Sequence, residues 1–561
     1  MYLAAAPALF RVDCFTFKTR KQGNAAQHSQ FDESAPGCIR APVGRPSRRS
    51  PLRSGLRLGG DPGTWRYTAD GGILKVALDG DPACVDPQQP GNNTALNIGR
   101  QITDSLTDQD PETGNIVPWL ATSWKAEEDN RRFTFVLRDG ATFSDGSKLD
   151  ADAVKANFDG IVKMGARASL ASTYLAGVDR IEAPDAHTVV VVFKEPNAQF
   201  LQATSTMSLG LLSKATLARS YEERCQGQVV GSGPFVLTSF THNQGAKLQR
   251  RDDYAWPSSL ATHRDKAYLE GIEFRIIPES GVRNGSLLSR QVDVNTSVQP
   301  QDEKVLLAQG LPILARSNPG LVYSFFPNES LPLWATPAVR RALVKGINRP
   351  ELQTILSRYQ QPATSVLAKT TPSYVDQSQA LAYDPKGAIK LLEDDGWLPG
   401  KDGIREKNGE RLTVRLEYWQ SVTYLELIQQ QLREIGVDLQ LKKSVIGQVN
   451  AIRDTGKMPI QFYNLTRADP DILRTVFLAS GRNVNFRAPA EVDAVLAQSA
   501  AAQDPAQRKQ LIARAAELLV ADGHAIPLVE LATVGATGKH VQGLHYDASS
   551  RLQFYDTWLQ K

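Results

Sequence analysis

Val229 to Trp256 reads VVGSGPFVLTSFTHNQGAKLQRRDDYAW. Glycines on either side of Ser232 let the backbone turn sharply, and Pro234 fixes the direction in which the chain leaves. The apolar alternation from Phe235 to Phe240 predicts a strand, and Asn243-Gln244-Gly245 predicts a turn. A second strand then runs on toward Arg250-Arg251-Asp252-Asp253-Tyr254. By itself this is a surface β-hairpin, a common element.

The chain around it is long. At 561 residues it exceeds what one hydrophobic core supports, so two or three domains are expected. The hydrophobic fraction of 41% and charged fraction of 22% are those of an ordinary globular protein. The net charge of +4 is unevenly spread: residues 1–70 hold eleven Lys and Arg against five Asp and Glu, which leaves the rest at about −2. That balance speaks against nucleic acid as a partner.

Arg40 to Arg57 (RAPVGRPSRRSPLRSGLR) is basic, rich in proline and without apolar periodicity, so residues 1–70 are expected to be a disordered or mis-started leader. Met1 to Phe10 lacks the form of an export signal, with Arg11 and Asp13 following at once. Cys38 has no apolar run before it to make a lipoprotein signal. The expectation is an export signal missing from the given N-terminus. No run is long and apolar enough to span a bilayer.

From Gly71 the chain reads as alternating strands and helices. Ile73–Leu78 predicts a first strand and Thr94–Leu106 a helix. Phe133–Arg138 predicts another strand, and Asp150 a helix N-cap. Trp119 and Trp124, in a strand-rich block, read more readily as core than as ligand-stacking aromatics.

Several of these blocks, in order, resemble the family 5 extracellular solute-binding proteins, which feed peptide- and nickel-type ABC importers. The Gly231-Ser-Gly-Pro hairpin ending in Tyr254-Ala-Trp256 is one. Others are Pro118-Trp119-Leu120-Ala121 with its following Phe133–Arg138 and Phe143-Ser-Asp-Gly146, and Tyr268 to Pro278. Leu287 to Asp293 fits with Arg290 or Gln291 where a helix-ending glycine is usual. Leu331 to Leu352 fits with Asn348 in place of Asp, and Tyr383-Asp384-Pro385 and Leu427–Leu441 complete the set. The resemblance implies an α/β fold of two lobes hinged about a ligand cleft, with an extra domain inserted in the first lobe. In residues it implies first-lobe segments at 71–112, 228–318 and 527–561, an insertion at 113–227, and a second lobe at 319–526. The chain would cross between lobes near 318–326 and near 526–533.

The implied activity is capture of a small, peptide-like, conjugate or metal-chelate solute and its delivery to ABC permease subunits, by a periplasmic monomer with no cofactor and no bound metal. Candidate ligand contacts are Asp81 and Asp86 in the first loop, Tyr323 and Phe325 in the crossing segment, and Thr466, Arg467, Asp469 and Asp471. In peptide-binding members an acidic residue three positions before the Asp-Pro pair holds the ligand's α-amino group. Here that position is Thr466, which cannot neutralise an amine, and beside it stands Arg467, whose planar cation suits a carboxylate. An anionic or blocked ligand end is therefore expected.

The alternative is a secreted peptide-processing hydrolase, distinguishable by turnover. No G-x-S-x-G elbow, P-loop or H-E-x-x-H motif is present, Val236 stands where a dinucleotide fingerprint needs its third glycine, and His540 and His545 read as surface residues. Cys84 and Cys225 leave two readings open, one disulfide or two free thiols, while Cys14 and Cys38 fall in the leader.

Overall fold

The computed structural model describes residues 71–420 and 422–561. The leader expected at 1–70, with Cys14 and Cys38, lies outside the described residues.

A seven-stranded sheet forms the first lobe, in the order Ile313–Ser317, Ala532–Thr537, Val294–Asn295, Ile73–Leu78, Gly271–Ile276, Gly245–Arg250, Phe235–Thr241. The first strand runs parallel to both its neighbours, and the remaining pairs are antiparallel. The hairpin read from sequence is the outer edge of this sheet. Its glycines are dictated by close approach: a Cβ on Gly231 would sit 1.8 Å from Ile102 O, and one on Gly233 2.6 Å from Ile102 C. Instead Gly233 N–H donates to Ile102 O at 3.1 Å, and Asp104 N–H donates to Ser232 Oγ at 2.8 Å. The elbow thus closes the C-terminal end of the helix Asn93–Ile102.

An antiparallel sheet of Ala121–Glu127, Arg132–Leu137, Thr188–Phe193 and Val178–Glu182 lies in the segment expected as the insertion, with the helix Ala151–Met164 against it. Asp150 caps that helix, accepting from Ala153 N–H at 2.9 Å. Phe133, Phe135, Phe158, Phe193 and Phe200 pack edge-on in its core. That core runs without a break into Leu74, Val76, Phe235 and Phe274 of the seven-stranded sheet. Trp119 is buried in it and Trp124 packs against it.

The second lobe is built on a sheet ordered Gln361–Pro362, Ile526–Glu530, Gly320–Pro327, Ile460–Thr466, with its own apolar core. Gly320–Pro327 and Ile526–Glu530 are buried along their whole length, which explains their nearly continuous apolar character. Ile526–Glu530 completes this sheet and Ala532–Thr537 belongs to the seven-stranded one, so the chain passes from one sheet to the other at Leu531.

The passage between lobes is a two-stranded ribbon. Ile313–Ser317 pairs antiparallel with Ala532–Thr537 on one side, and Gly320–Pro327 pairs with Ile526–Glu530 on the other. Only Asn318, Pro319 and Leu531 lie between, joined by Asn318 N–H to Leu531 O at 2.8 Å and Thr533 Oγ1–H to Asn318 Oδ1 at 2.6 Å.

Where the resemblance lacked a helix-ending glycine, the helix Ser280–Leu288 ends with Arg290 at φ +60°. An arginine occupies the left-handed position at a cost of about 1 kcal/mol. Cys84 and Cys225 are joined by a disulfide, resolving the two readings in favour of the bridge. Among the described residues no helix is long and apolar enough to cross a membrane.

Candidate functional site

Two adjoining cavities lie between the lobes. The smaller, about 270 Å³, is bounded by Asn93 and Thr94 at the start of the first helix, Thr296 and Ser297 after the short central strand, and Ser357 and Gln360 of the second lobe. The larger, about 840 Å³, is bounded by Gln299 and Pro300 of the first lobe and Tyr323, Tyr418, Gln420 and Tyr424 of the second. Gln299, Pro300, Gln360 and Leu531 belong to both, so the ribbon forms part of their common wall. The mixture of amide, hydroxyl and aromatic groups is that of a site that orients a polar solute against apolar faces.

Tyr323 stacks on Phe462 with ring centroids 4.8 Å apart, and burial pushes its phenol up to about 12. Burial likewise drives Tyr424 well above its ordinary value. The Tyr424 hydroxyl and Gln420 Oε1 have no hydrogen-bond partner among the described residues. Both phenols therefore stay protonated near neutrality and available as donors.

At the other side of the junction the lobes touch. Arg467, only 5% exposed, crosses from the second lobe to the first. Its Nη1 donates to Gln199 Oε1 at 2.9 Å and its Nη2 to Thr173 Oγ1 at 2.9 Å, with the guanidinium 4.6 Å above the Tyr174 ring. A longer bond runs from Nη1 to Thr475 Oγ1, 3.4 Å. Every one of these partners is neutral. Asn130 Nδ2 donates to Ala502 O at 3.0 Å, and Gln109 Nε2 to Ala468 O at 3.3 Å, across the same junction. Arg551 is buried behind Ser550, to whose carbonyl its Nη1 donates at 3.3 Å, and burial lowers its pKa from the ordinary arginine value.

The remaining candidates fall elsewhere. Asp469 makes a two-pronged pair with Arg508 at 2.7 and 3.1 Å, and Asp471 pairs with Arg474 at 2.7 Å. Burial alone would depress both arginines, but the paired carboxylates override it and hold their pKa values above the usual range. Thr466 pairs with Gly320 at the strand end and lines neither cavity. Phe325 is fully buried in the second core. Asp86 is fully buried and paired with Arg224 at 2.7 Å beside the disulfide, so its carboxylate is spoken for within the protein. Asp81 accepts from Ala83 N–H at 2.6 Å and from the backbone of Asn243 in the hairpin turn. Of the eight candidates, the structure places Tyr323 on a cavity wall and Arg467 at the lobe junction. It brings in Thr173, Tyr174 and Gln199, which sequence reasoning did not pick out, because only tertiary closure sets them opposite Arg467. Among the described residues no cluster of His, Cys, Asp or Glu has the arrangement of a metal site.

Residues 115–483 match the family profile described as bacterial extracellular solute-binding proteins, family 5 Middle. The chain is 25% identical over 508 residues to the glutathione-binding protein GsiB of Escherichia coli (strain K12), covering 86% of this chain and 94% of that one. Its fold is similar to that of NikA from Brucella suis, solved in complex with Fe(III)-EDTA. There the TM-score is 0.75 at 22% identity, covering 87% of this chain and 100% of the other. It is also similar to the oligopeptide-binding protein AppA of Bacillus subtilis in complex with a nonapeptide, with TM-score 0.71 at 20% identity, covering 88% and 99%.

Proposed function

Because this chain belongs to family 5 of the bacterial extracellular solute-binding proteins, we infer that it captures a small solute between its two lobes and delivers it to an ABC importer. That membership supports this reading over the hydrolase one. The compartment we assign is the periplasm and the working unit a monomer, which cell fractionation and light scattering check. The lobes we assign are 71–112, 228–318 and the segment after Leu531 for the first, with 113–227 inserted in it, and 319–530 for the second.

The solute class we propose is peptide-like with an acidic or blocked end, and glutathione, which names a relative, is the reference compound. Glutathione carries two carboxylates, and its one amine sits beside one of them. The observation that carries this reading is Arg467, a guanidinium buried at the lobe junction with only neutral partners. A buried cation held by hydroxyl, amide and ring groups retains much of its attraction for an anion. Thr466 beside it cannot neutralise a ligand amine. Opening of the lobes would free Arg467 from Thr173 and Gln199, and a ligand carboxylate would be a stronger partner than either. Tyr323, Tyr418 and Tyr424 would receive the apolar part.

Titration calorimetry with glutathione and with a free-amine tripeptide such as trialanine tests this. Glutathione should bind tightly and trialanine poorly, and Arg467→Ala should weaken glutathione by about 10–100-fold, the worth of one charge-assisted hydrogen bond. Submicromolar binding of trialanine, or unchanged glutathione affinity in Arg467→Ala, would sink the assignment of ligand class.

A further inference from the structure

The first lobe contains a third cavity, of about 260 Å³, that shares no residue with the two between the lobes. All its walls come from residues 100–261 and 545–556, so it belongs to one lobe only. Its size falls just below the range of about 300–1,000 Å³ usual for ligand sites, which limits it to a small guest. Trp119, Tyr254 and Tyr555 supply aromatic faces, and Pro111, Pro234 and Pro257 make the rest of the wall stiff and apolar.

The polar groups on these walls are mixed: Arg100 Nε and Trp119 Nε1 are buried donors without a hydrogen-bond partner among the described residues, but the formal charge is mostly negative. Three carboxylates line the cavity, Asp108, Asp547 and Asp556. Asp556 is held by His263 at 2.9 Å and by Thr262. Asp547 accepts the backbone N–H groups of Ser549 and Arg551 at 2.9 and 2.8 Å, and Arg100 Nε lies 3.9 Å from it. Asp108 accepts the N–H of its neighbour Gln109 at 2.8 Å and a hydrogen bond from Ser258. Arg100 cannot answer all three, because its terminal nitrogens are turned away to Ser105 Oγ and Ser205 O. Its guanidinium also lies 5.1 Å over the Trp119 ring. His545, the other basic group on the wall, is exposed and engaged with Gly543 O.

A second, independent observation comes from Gln109, which is 3% exposed and lines the same cavity. Its amide nitrogen is used twice, by Gly114 O and Ala468 O, but its Oε1 has no donor among the described residues. A buried amide oxygen without a donor is costly to leave unpaired, so a guest that brings an N–H there is favoured. Burial pushes the Asp108 carboxyl above its ordinary pKa against the attraction of Arg100.

We propose that this cavity is a second ligand site, specific for a small organic cation with a flat apolar body, of the arylalkylamine class. The ammonium lies toward Asp108 and Gln109 Oε1, and the body lies against Tyr254, Tyr555 and the prolines. The cavity's one hydrogen-bonded link to the second lobe among the described residues is the Gln109 amide nitrogen, which reaches Ala468 O.

Calorimetry of the full chain with 2-phenylethylamine and with its neutral counterpart 2-phenylethanol distinguishes the site. The amine should bind at least about tenfold more tightly than the alcohol, and Asp108→Asn should erase that preference, as loss of one charge-assisted contact does. Leu260→Trp, a substitution at the exposed rim of the cavity, should block the amine by bulk, giving a second variant if Asp108→Asn folds poorly. Tyr323→Ala in the interlobe cleft should leave amine binding unchanged, and saturating glutathione should not displace it. Equal binding of amine and alcohol, no binding of the amine at millimolar concentration, or loss of binding in Tyr323→Ala would each overturn the proposal.

Discussion

Two loops follow strands in opposite lobes, and both carry buried acids that sequence reasoning assigned to a ligand. In the loop after Ile73–Leu78, Asp86 is locked to Arg224. In the loop after Ile460–Thr466, Asp469 and Asp471 are locked to Arg508 and Arg474. The loops differ in one respect. The second also contains Arg467, buried with neutral partners alone. A carboxylate in a loop near a cleft therefore says little about ligand contact, since a protein that buries an acid normally supplies its own arginine. Arg283 and Arg349 are also buried with neutral hydrogen-bond partners, so what marks Arg467 is its place at the lobe junction, where Gln199 and Thr173 come to it from the other lobe. Asp104 is its mirror image: a fully buried acid whose hydrogen bonds come from neutral groups, Tyr254 Oη at 3.0 Å and Trp256 Nε1 at 2.9 Å.

The largest effect should come from the covalent tie of the first loop. Cys84 and Cys225 are 141 residues apart, and opening a loop of that length should cost about 5 kcal/mol on the chain-entropy account. Urea unfolding of a Cys84→Ser/Cys225→Ser double variant checks it. A loss below about 1 kcal/mol would mean that the noncovalent contacts of the first loop hold it without help.

Next is the direct comparison of arginines. Arg224→Met leaves Asp86 buried without its partner and should destabilise the fold by about 3–5 kcal/mol. Arg467→Met leaves the buried Gln199 amide oxygen without its donor but strands no charge, and should cost about 1–3 kcal/mol. The Arg224 value should not add simply to that of the disulfide, because the two ties are adjacent in sequence and act on one loop. Equal losses at the two arginines would erase the distinction drawn between the loops.

The smallest effect is a pH dependence at Asp104. Burial raises its carboxyl to about 7, against the pull of Tyr254 and Trp256. A carboxyl raised in the folded state stabilises the fold while protonated, so the contribution is full below about pH 4 and is lost as pH rises through 7. Melting temperature measured from pH 4 to 8 should fall less steeply in Asp104→Asn than in the parent. Parallel profiles would show that Asp104 is ionised throughout.

Much of the fold is legible in the sequence because it rests on local rules. The hairpin is written in its glycine elbow and alternating residues, and the Asp150 cap in its own side chain. The first strand and the helix after it stand in the apolar spacing, although the helix stops at Ile102 rather than Leu106. Less local features escaped. Asp86 and Arg224 are 138 positions apart, and no periodicity connects them. Ile526–Glu530 is apolar enough to suit either lobe, and only its pairing with Gly320–Pro327 assigns it. Thr173, Tyr174 and Gln199 have no motif of their own and matter only because Arg467 arrives from the other lobe.

The ribbon between the lobes has a consequence for how the protein measures its cargo. Two hydrogen-bonded strands side by side flex readily out of their common plane and resist both shear and in-plane bending; here the pairing stops at Ser317–Ala532 on one side and resumes at Tyr323–Val529 on the other. A hinge of this form would confine the lobes to one soft rotation. Solutes of different length would be registered as different stopping angles along a single path, so one distance between spin labels on the two lobes should report the identity of the cargo.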